Sequence, residues 1–306
     1  MVPPGLDESR PSKTLALKRG SIRESPLSDR QAERDTAALH AGAAAIRFQG
    51  VSVDFPVNGG AGYPAVGKTD LQIGSHEFVA VVGPTGCGKS TLLNVAAGLL
   101  APTTGQTLIF GAPLAGLNRH AGYLFQQDAV MPWKTARDNV AISLEIAGVA
   151  RAEALERAQV WLKRVGLSAF GDRYPHQLSG GQRKRVGLAQ VLIRDPKVLL
   201  MDEPFGPLDA QTRQIMGNLL LGLWAGDRKA VLFVTHDLEE AIALSDRVVI
   251  MSAGPGARII GDHVIDLERP RDASEVRLLP RFHELHKAIW GQLRAEVMKA
   301  YGEETR

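Results

Sequence analysis

The chain has 306 residues, of which 44% are hydrophobic and 23% charged, with 36 Lys and Arg against 33 Asp and Glu for a net charge of +3. That length holds one large domain or two modest ones with a full core, and so small a basic excess, spread along the chain, is no footprint for nucleic acid. A single cysteine, Cys87, excludes an intrachain disulfide; with no stretch near 18 apolar residues and no apolar secretory core at the N-terminus, the chain is expected to stay in the cytoplasm.

Residues 1–44 are rich in Ser, Arg, Pro, Glu and Ala without an apolar period, which predicts a disordered tail. From Ala45 the texture changes. AIRFQGVSVDF alternates apolar and polar residues as a half-buried strand does. DLQIGSHEFVAVVG carries a second strand pattern and then the apolar run Phe78 to Val82, the mark of a buried parallel strand. QTLIFG, AGYLFQ, KVLLMDE, AVLFVTH and RVVIMSA are further strand patterns, while STLLNVAAGLL and EALERAQVWLKRVGL have helical spacing. Strands alternating with helices predict an α/β fold on a mainly parallel sheet. Between Gln126 and Pro196 only helical patterns remain, so a helical insert is expected there. After Pro280, the spacing of Phe282, Leu285, Ile289, Leu293 and Val297 predicts a closing amphipathic helix.

Gly83-Pro84-Thr85-Gly86-Cys87-Gly88-Lys89-Ser90, followed by Thr91, fits G-x-x-x-x-G-K-[ST] between a buried strand and a helix start, the context a phosphate loop requires. Glycines let backbone N–H groups turn inward, and the helix N-terminus adds the positive end of its dipole. Lys89 is expected to reach the β- and γ-phosphates of ATP, and Ser90 to bind the Mg²⁺ that bridges them. Cys87 is either a small filler or a thiol whose pKa the helix dipole lowers and which bound nucleotide shields.

The apolar strand pattern Lys197 to Met201 ends in Asp202 and Glu203. Beside a phosphate loop, Asp202 is placed to hold Mg²⁺ through water, and Glu203, pointing elsewhere, to act as general base on the attacking water. Thr235-His236-Asp237 follows another apolar strand; His236 is a contact for the γ-phosphate or a structural histidine. Gln126, at the end of YLFQ, is likewise a ligand for Mg²⁺ or the attacking water, or a plain strand-end glutamine.

A second glycine-rich anion site, Leu178-Ser179-Gly180-Gly181-Gln182, precedes the basic run Arg183-Lys184-Arg185. The order GPTGCGKST, YLFQQ, LSGGQ, VLLMDEP, FGPLDA and VTHD resembles the nucleotide-binding subunit of an ABC transporter over about residues 45–255, and LSGGQ is the most diagnostic part. The resemblance implies a P-loop NTPase (RecA-like) α/β core with an antiparallel β subdomain and an inserted α-helical subdomain at about residues 127–195. The ATPase domain then spans 45–260, and 261–306 form an extension. It also implies a head-to-tail homodimer or pseudo-dimer in which Ser179, Gly180 and Gly181 of one subunit reach the γ-phosphate held by Lys89 of the other. Gln182 is expected to cap the signature helix, and Arg183, Lys184 and Arg185 to supply a positive field and a solvated helix face. By the same matching Gln126 falls on the Q-loop, Asp209 on the D-loop and His236 on the switch histidine. Pro207 stands where a small residue is commoner. For the family's adenine-stacking aromatic Phe55 is the best match and Tyr63 the second candidate, with Phe55 also readable as core.

The spacing FQ-x-D-x-x-x-PW-x-x-x-x-x-NV resembles the subfamily that imports nitrate, sulfonates, taurine, bicarbonate or pyrimidine precursors. GPGARIIGDHVIDLERPRD is similar to that subfamily's PGRI-like turn and basic-proline pair, with Ala257 interrupting the turn. The resemblance implies two separate integral-membrane permease subunits, a periplasmic or lipid-anchored solute-binding protein behind them, no nucleic acid, and a peripheral position on the cytoplasmic face of the cell membrane. Trp133 is an exposed anchor for a permease helix or a buried residue of the insert. The tail after residue 256 is too short for a regulatory barrel. A soluble ABC-type ATPase acting on ribosomes, DNA or Fe–S assembly, or an exporter subunit, is the alternative.

Overall fold

In the computed structural model, residues 44–57 and 62–304 are described, so residues 1–43 of the expected tail lie outside the described residues. In chain order the strands are β1 (Ala44–Phe55), β2 (Tyr63–Gly74), β3 (Phe78–Val82), β4 (Thr104–Ile109), β5 (Ala112–Pro113), β6 (Ala121–Leu124), β7 (Val198–Asp202), β8 (Ala230–Val234), β9 (Arg247–Met251) and β10 (Ile259–Val264). The helices are α1 (Lys89–Ala97), α2 (Ala136–Glu145), α3 (Arg151–Arg164), α4 (Gly180–Leu192), α5 (Ala210–Gly226), α6 (Leu238–Leu244) and α7 (Pro280–Glu304).

Two sheets form. The main one has the order β10-β9-β3-β8-β7-β6, and the second has the order β2-β1-β4-β5. In the main sheet β9, β3, β8, β7 and β6 run parallel, with β10 antiparallel at one edge; the second sheet is antiparallel throughout. Every residue of β3, β8 and β9 is buried. Their alternation sorts side chains into two cores, as the period of a strand requires. Phe78, Ala80 and Val82 join Phe233 and Ile250 under α5, α6 and α7. Val79 and Val81 join Leu232 and Val249 under α1 and the second sheet.

Between β6 and β7 the described residues form α2, α3, α4 and short 3₁₀ turns, around a third core that includes Val140, Ala158, Leu162 and Val186. Tertiary context extends two segments beyond their sequence pattern. β2 begins at Tyr63, seven residues before the apolar alternation at Asp70, because it pairs with β1 from Phe55 onward. β10 was not among the strand patterns: IIGDHV is only half-buried at a sheet edge, so its alternation is weak.

Arg247 is fully buried at the start of β9. It bonds Glu77 and the Gln72 carbonyl and lies 2.8 Å from Asp262. The basic-proline pair is also structural. Arg271 gives its guanidinium protons to the carbonyls of Ser245, Ile265 and Leu267, and Arg269 bonds Asp246 and the Leu244 carbonyl. Both therefore place positive charge where α6 ends, the favourable end for a cation. Burial holds Arg271 down to about 10, well below an ordinary guanidinium.

Helix α7 packs Phe282, Leu285, Ile289 and Leu293 into the first core, with Val297 partly buried beside them. Replacing fully buried Ile289 by alanine is expected to cost about 2–5 kcal/mol through lost burial and a cavity. Chemical denaturation reads this as a lower midpoint; an unchanged midpoint would mean that α7 is not part of the cooperative unit.

Candidate functional site

The carboxyl ends of β3, β7 and β8 lie level: Val81 pairs with Val234, and Asp202 also pairs with Val234. The phosphate loop leaves β3 at this edge and enters α1. Gly88, the N-cap of α1, has φ 95 and offers no side-chain cap. A Cβ on Gly88 would lie 2.7 Å from the Ala65 carbonyl, so only glycine fits. Gly83 is as tightly held, 2.9 Å from both Cys87 Sγ and the Met251 carbonyl by the same measure. The first amides of α1 are thus left for an anion, with no acidic side chain in the first turn to oppose it.

Lys89 is buried and arches over the loop, its Nζ 2.9 Å from the carbonyls of Gly83 and of Pro84. Ser90 Oγ donates to Asp202 Oδ1 at 2.8 Å. Tyr123 Oη bonds the other Asp202 oxygen at 3.4 Å and Asn94 Oδ1 at 3.0 Å. Burial raises the Asp202 carboxyl above its ordinary value, with Ser90 opposing and Glu203 reinforcing the shift. Thr85 and Gly86 are exposed at the loop tip, while Pro84 is buried and Thr91 half-buried. Cys87 is the filler of the two alternatives: it is buried, and burial pushes its thiol up despite Lys89 beside it. Desolvation therefore outweighs the positive charge of Lys89.

Glu203 follows β7 with φ 41, a left-handed conformation that costs a bulky residue on the order of 1 kcal/mol or more. Its N–H bonds the Val234 carbonyl at 2.9 Å, which holds that conformation. The turn swings the carboxylate away from Asp202. Glu203 Oε2 lies 2.9 Å from His236 Nδ1 and 3.4 Å from Gln126 Nε2. A carboxylate accepts, so the ring donates from Nδ1. His236 Nε2 can then donate to an anion only when the ring is an imidazolium.

Behind His236, Thr235 accepts from the Asp237 N–H and donates to buried Glu240 at 2.5 Å. Burial raises Glu240 to about 7; the Thr235 bond and the charges of Arg213 and His236 lower it, and Asp237 raises it. Arg213 bridges Asp237 and the Leu208 carbonyl, each at 3.0 Å. Asp209 lies on the surface as the N-cap of α5, where its bonds to Thr212 hold its carboxyl below the usual range.

The second glycine-rich stretch sits elsewhere, at the start of α4. Among the described residues no hydrogen bond joins it to the phosphate loop of the same chain. Ser179 Oγ accepts from the Gln182 N–H, and Gln182 Oε1 accepts from the Ser179 N–H, a reciprocal cap. Ser179 is exposed and Gly180 half-buried. Gly181 is buried, with Thr212 Cγ2 2.5 Å from where a Cβ would stand.

The basic run after the signature is only in part a solvated face, with Arg183 and Arg185 half-buried. Lys184 is buried, Arg183 bonds Asp128 at 2.9 Å and the Leu178 carbonyl at 2.7 Å, and Arg185 reaches the Val165 carbonyl. The helix turns these side chains toward the Q-loop and α3, a direction that charge alone does not reveal.

Phe55 and Tyr63 are register partners at the loop end of the β1–β2 hairpin, 40% and 45% exposed, so Phe55 is not a core residue. A Cβ on Gly254 would stand 3.7 Å from Tyr63 Oη and 3.9 Å from the Gly86 carbonyl, which brings Tyr63 close to the phosphate loop. Ala257 is fully buried and accepts from the Gly67 N–H at 2.8 Å, so the interrupted turn is docked on β2.

Trp133 is 73% exposed, not buried in the insert. Fully buried Asn139 builds the turn that presents it, accepting from the Met131 N–H and donating to the carbonyls of Met131, Lys134 and Thr135. The PW-to-NV spacing is thus a scaffold and the residue it displays. Sequence reasoning missed Tyr123, Asn94 and Arg213, whose roles arise only from contacts between distant segments, and took Asp128 only as a motif position.

Residues 66–206 match the ABC transporter family. The uncharacterized ABC transporter ATP-binding protein MJ0412 of Methanocaldococcus jannaschii is 44% identical over 255 residues, 83% of this chain and 93% of that protein. The taurine import ATP-binding protein TauB of Pseudomonas entomophila is 40% identical over 250 residues, 80% of this chain and 95% of TauB. Among solved structures, the dimeric ATP-binding cassette MJ0796 bound to ADP and Pi gives a TM-score of 0.64 at 30% identity, covering 73% of this chain and 100% of that one. The chain belongs to the ATP-binding subunits of ABC transporters. It is an ATPase built on a P-loop NTPase core.

Because the folded Glu240 carboxyl titrates above its unfolded value, its contribution to stability is full at low pH and is lost as pH rises through about 7. Glu240→Gln, which mimics the neutral carboxyl, is expected to raise Tm relative to the native chain at about pH 8.5 and to leave it nearly unchanged at about pH 5. An identical Tm difference at both pH values would show that Glu240 does not titrate in this window.

Proposed function

We propose that this chain drives a bacterial importer of small solutes of the nitrate, sulfonate and taurine type, as a dimer with an ATP bound at each of two shared sites. The observation that carries the reading is Glu203, turned away from Asp202 and held between His236 and Gln126 at the edge where the phosphate loop begins.

In this reading the Gly83–Thr91 loop and Lys89 cradle the phosphates, each charge-assisted bond contributing about 1.5–3 kcal/mol. Tyr63, close to the loop, is the better placed of the two adenine-side aromatics, and Phe55 flanks it. Ser90, Gln126 and Asp202 offer hydroxyl, amide and carboxylate oxygens, a hard donor set that suits Mg²⁺. Mg²⁺ held there would neutralise charge on the phosphates. Glu203 accepts a proton from the attacking water, with Gln126 and His236 fixing its direction. Ser179, Gly180, Gly181 and the Gln182 cap face the partner's γ-phosphate, and Asp209 lies at the same dimer contact.

A separate surface supports a permease partner. A cleft of about 870 Å³ runs between β6, α2 and α4, lined by Phe125, Asp128, Ile146, Arg183, Arg194 and Lys197. Phe125 and Ile146 are exposed in it, and Trp133 is exposed on the same insert, which suits a short helix with an apolar face. Among the described residues no helix is long and apolar enough to cross a membrane, so the spans would belong to other chains. The subunit would then sit peripherally on the cytoplasmic face, with a solute-binding protein across the membrane.

Glu203→Gln is expected to bind ATP and dimerise but hydrolyse about 10²–10⁴-fold more slowly, read as steady-state phosphate release; retained activity would remove Glu203 as the base. In a mixed dimer, Lys89→Ala in one subunit and Ser179→Arg in the other should damage one ATP site and spare the second. Equal loss at both would refute the shared-site reading. Copurification with two hydrophobic subunits, weakened by Trp133→Ala without loss of ATP binding, supports transport; a stable complex with ribosomes or DNA instead would support a soluble ATPase.

A further inference from the structure

Lys184 lies in the second turn of the signature helix and its side chain is only 4% exposed. Its Nζ is 2.6 Å from the Gln126 carbonyl, 3.3 Å from the Phe125 carbonyl and 3.2 Å from Asp128 Oδ1. The three protons of the ammonium therefore have three acceptors, all on one stretch of the Q-loop. Asp128 Oδ2 is taken in turn by Arg183, which also bonds the Leu178 carbonyl just before the signature serine. A buried ammonium so completely satisfied ties its two segments together, because parting them leaves a charge in a low-dielectric site.

The two segments face different nucleotides in the proposed dimer. Ser179 to Gly181 face the partner's ATP, whereas Gln126 faces Glu203 in the chain's own site. The Gln126-to-Glu203 contact is 3.4 Å, at the outer limit of a hydrogen bond, so a shift of a few tenths of an ångström in the Gln126 backbone makes or breaks it. We infer that Lys184 is a positioning residue that locks the signature helix to Gln126, so that occupancy of the partner's ATP site sets the Gln126–Glu203 contact of its own. The inference rests on the shared-site reading above. The sequence predicts only a positive helix face at this position; the burial and the three bonds assign it this role.

The test uses the full chain and ATP. Lys184→Met keeps the length of the side chain and removes its donors. ATP affinity, measured by equilibrium binding of a fluorescent ATP analogue, is expected to stay within about twofold, because the phosphate loop is untouched. kcat is expected to fall about tenfold or more, the scale on which small misplacements act, and the Hill coefficient to drop toward 1. Lys184→Gln restores a donor for the Gln126 carbonyl and should recover part of both. In a Gln126→Ala background Lys184→Met should lower kcat little further, since the two act through one contact.

Unchanged kcat and Hill coefficient in Lys184→Met, a parallel loss of ATP affinity, or full additivity with Gln126→Ala would each overturn the inference. If Lys184→Met fails to fold by circular dichroism, Asp128→Ala replaces it, and full retention of kcat and Hill coefficient there overturns the inference equally. Glu203→Gln separates the two levels: if it stays active, the site reading fails, whereas if it is inactive and Lys184→Met is normal, only this inference fails.

Discussion

Everything at the candidate site depends on the level carboxyl ends of three buried parallel strands. β3, β7 and β8 are apolar almost throughout, so their backbones have no water to bond and must satisfy one another. The resulting ladder brings the phosphate loop, Asp202 and Thr235 to one edge with little freedom. Chemistry then follows from what each chain segment does on leaving the sheet. One turns into a helix N-terminus, one takes a left-handed step at Glu203, and one places His236 opposite that step.

Around this edge, burial and charge are balanced by fixed partners more than by solvent. Lys89 is a buried ammonium bonded to carbonyls of its own loop, Lys184 is one bonded to carbonyls of the segment after β6, and Arg213 caps a carbonyl in the same way, as Arg271 does at the opposite, amino end of the strands. Such cations act as rivets, because moving either partner strands a charge. They join segments distant in sequence: residue 184 to residue 126, residue 213 to residue 237, and residue 271 to residue 245. The insert is consequently tied to the nucleotide edge through the Q-loop, in addition to packing around its own core.

Much of the fold was legible because apolar periodicity reports burial, and burial is what these strands and helices share. The glycine-rich turn before α1, the acidic end of β7 and the glycine-rich start of α4 were legible for a different reason: their glycines and charges sit at fixed spacings in contiguous chain. β10 and the first half of β2 were not legible, since an edge strand and a hairpin arm need only a partner to pair with. The basic run after the signature was misread for a related cause. Charge suggests solvent, but Lys184 finds its three acceptors across the fold. Cys87 was open between two roles until its burial was known.

The amino-acid sequence alone determined the α/β class, the order of its elements, the anion loop and the pair of acids, because those properties are carried by local spacing and composition. Only the tertiary structure decided that Glu203 leans on His236 and Gln126, that Tyr63 comes close to the loop, that Asn139 displays Trp133, and that Lys184 is locked to the Q-loop. Each of these is a contact between segments whose separation in the chain says nothing about their separation in space, so packing had to settle it.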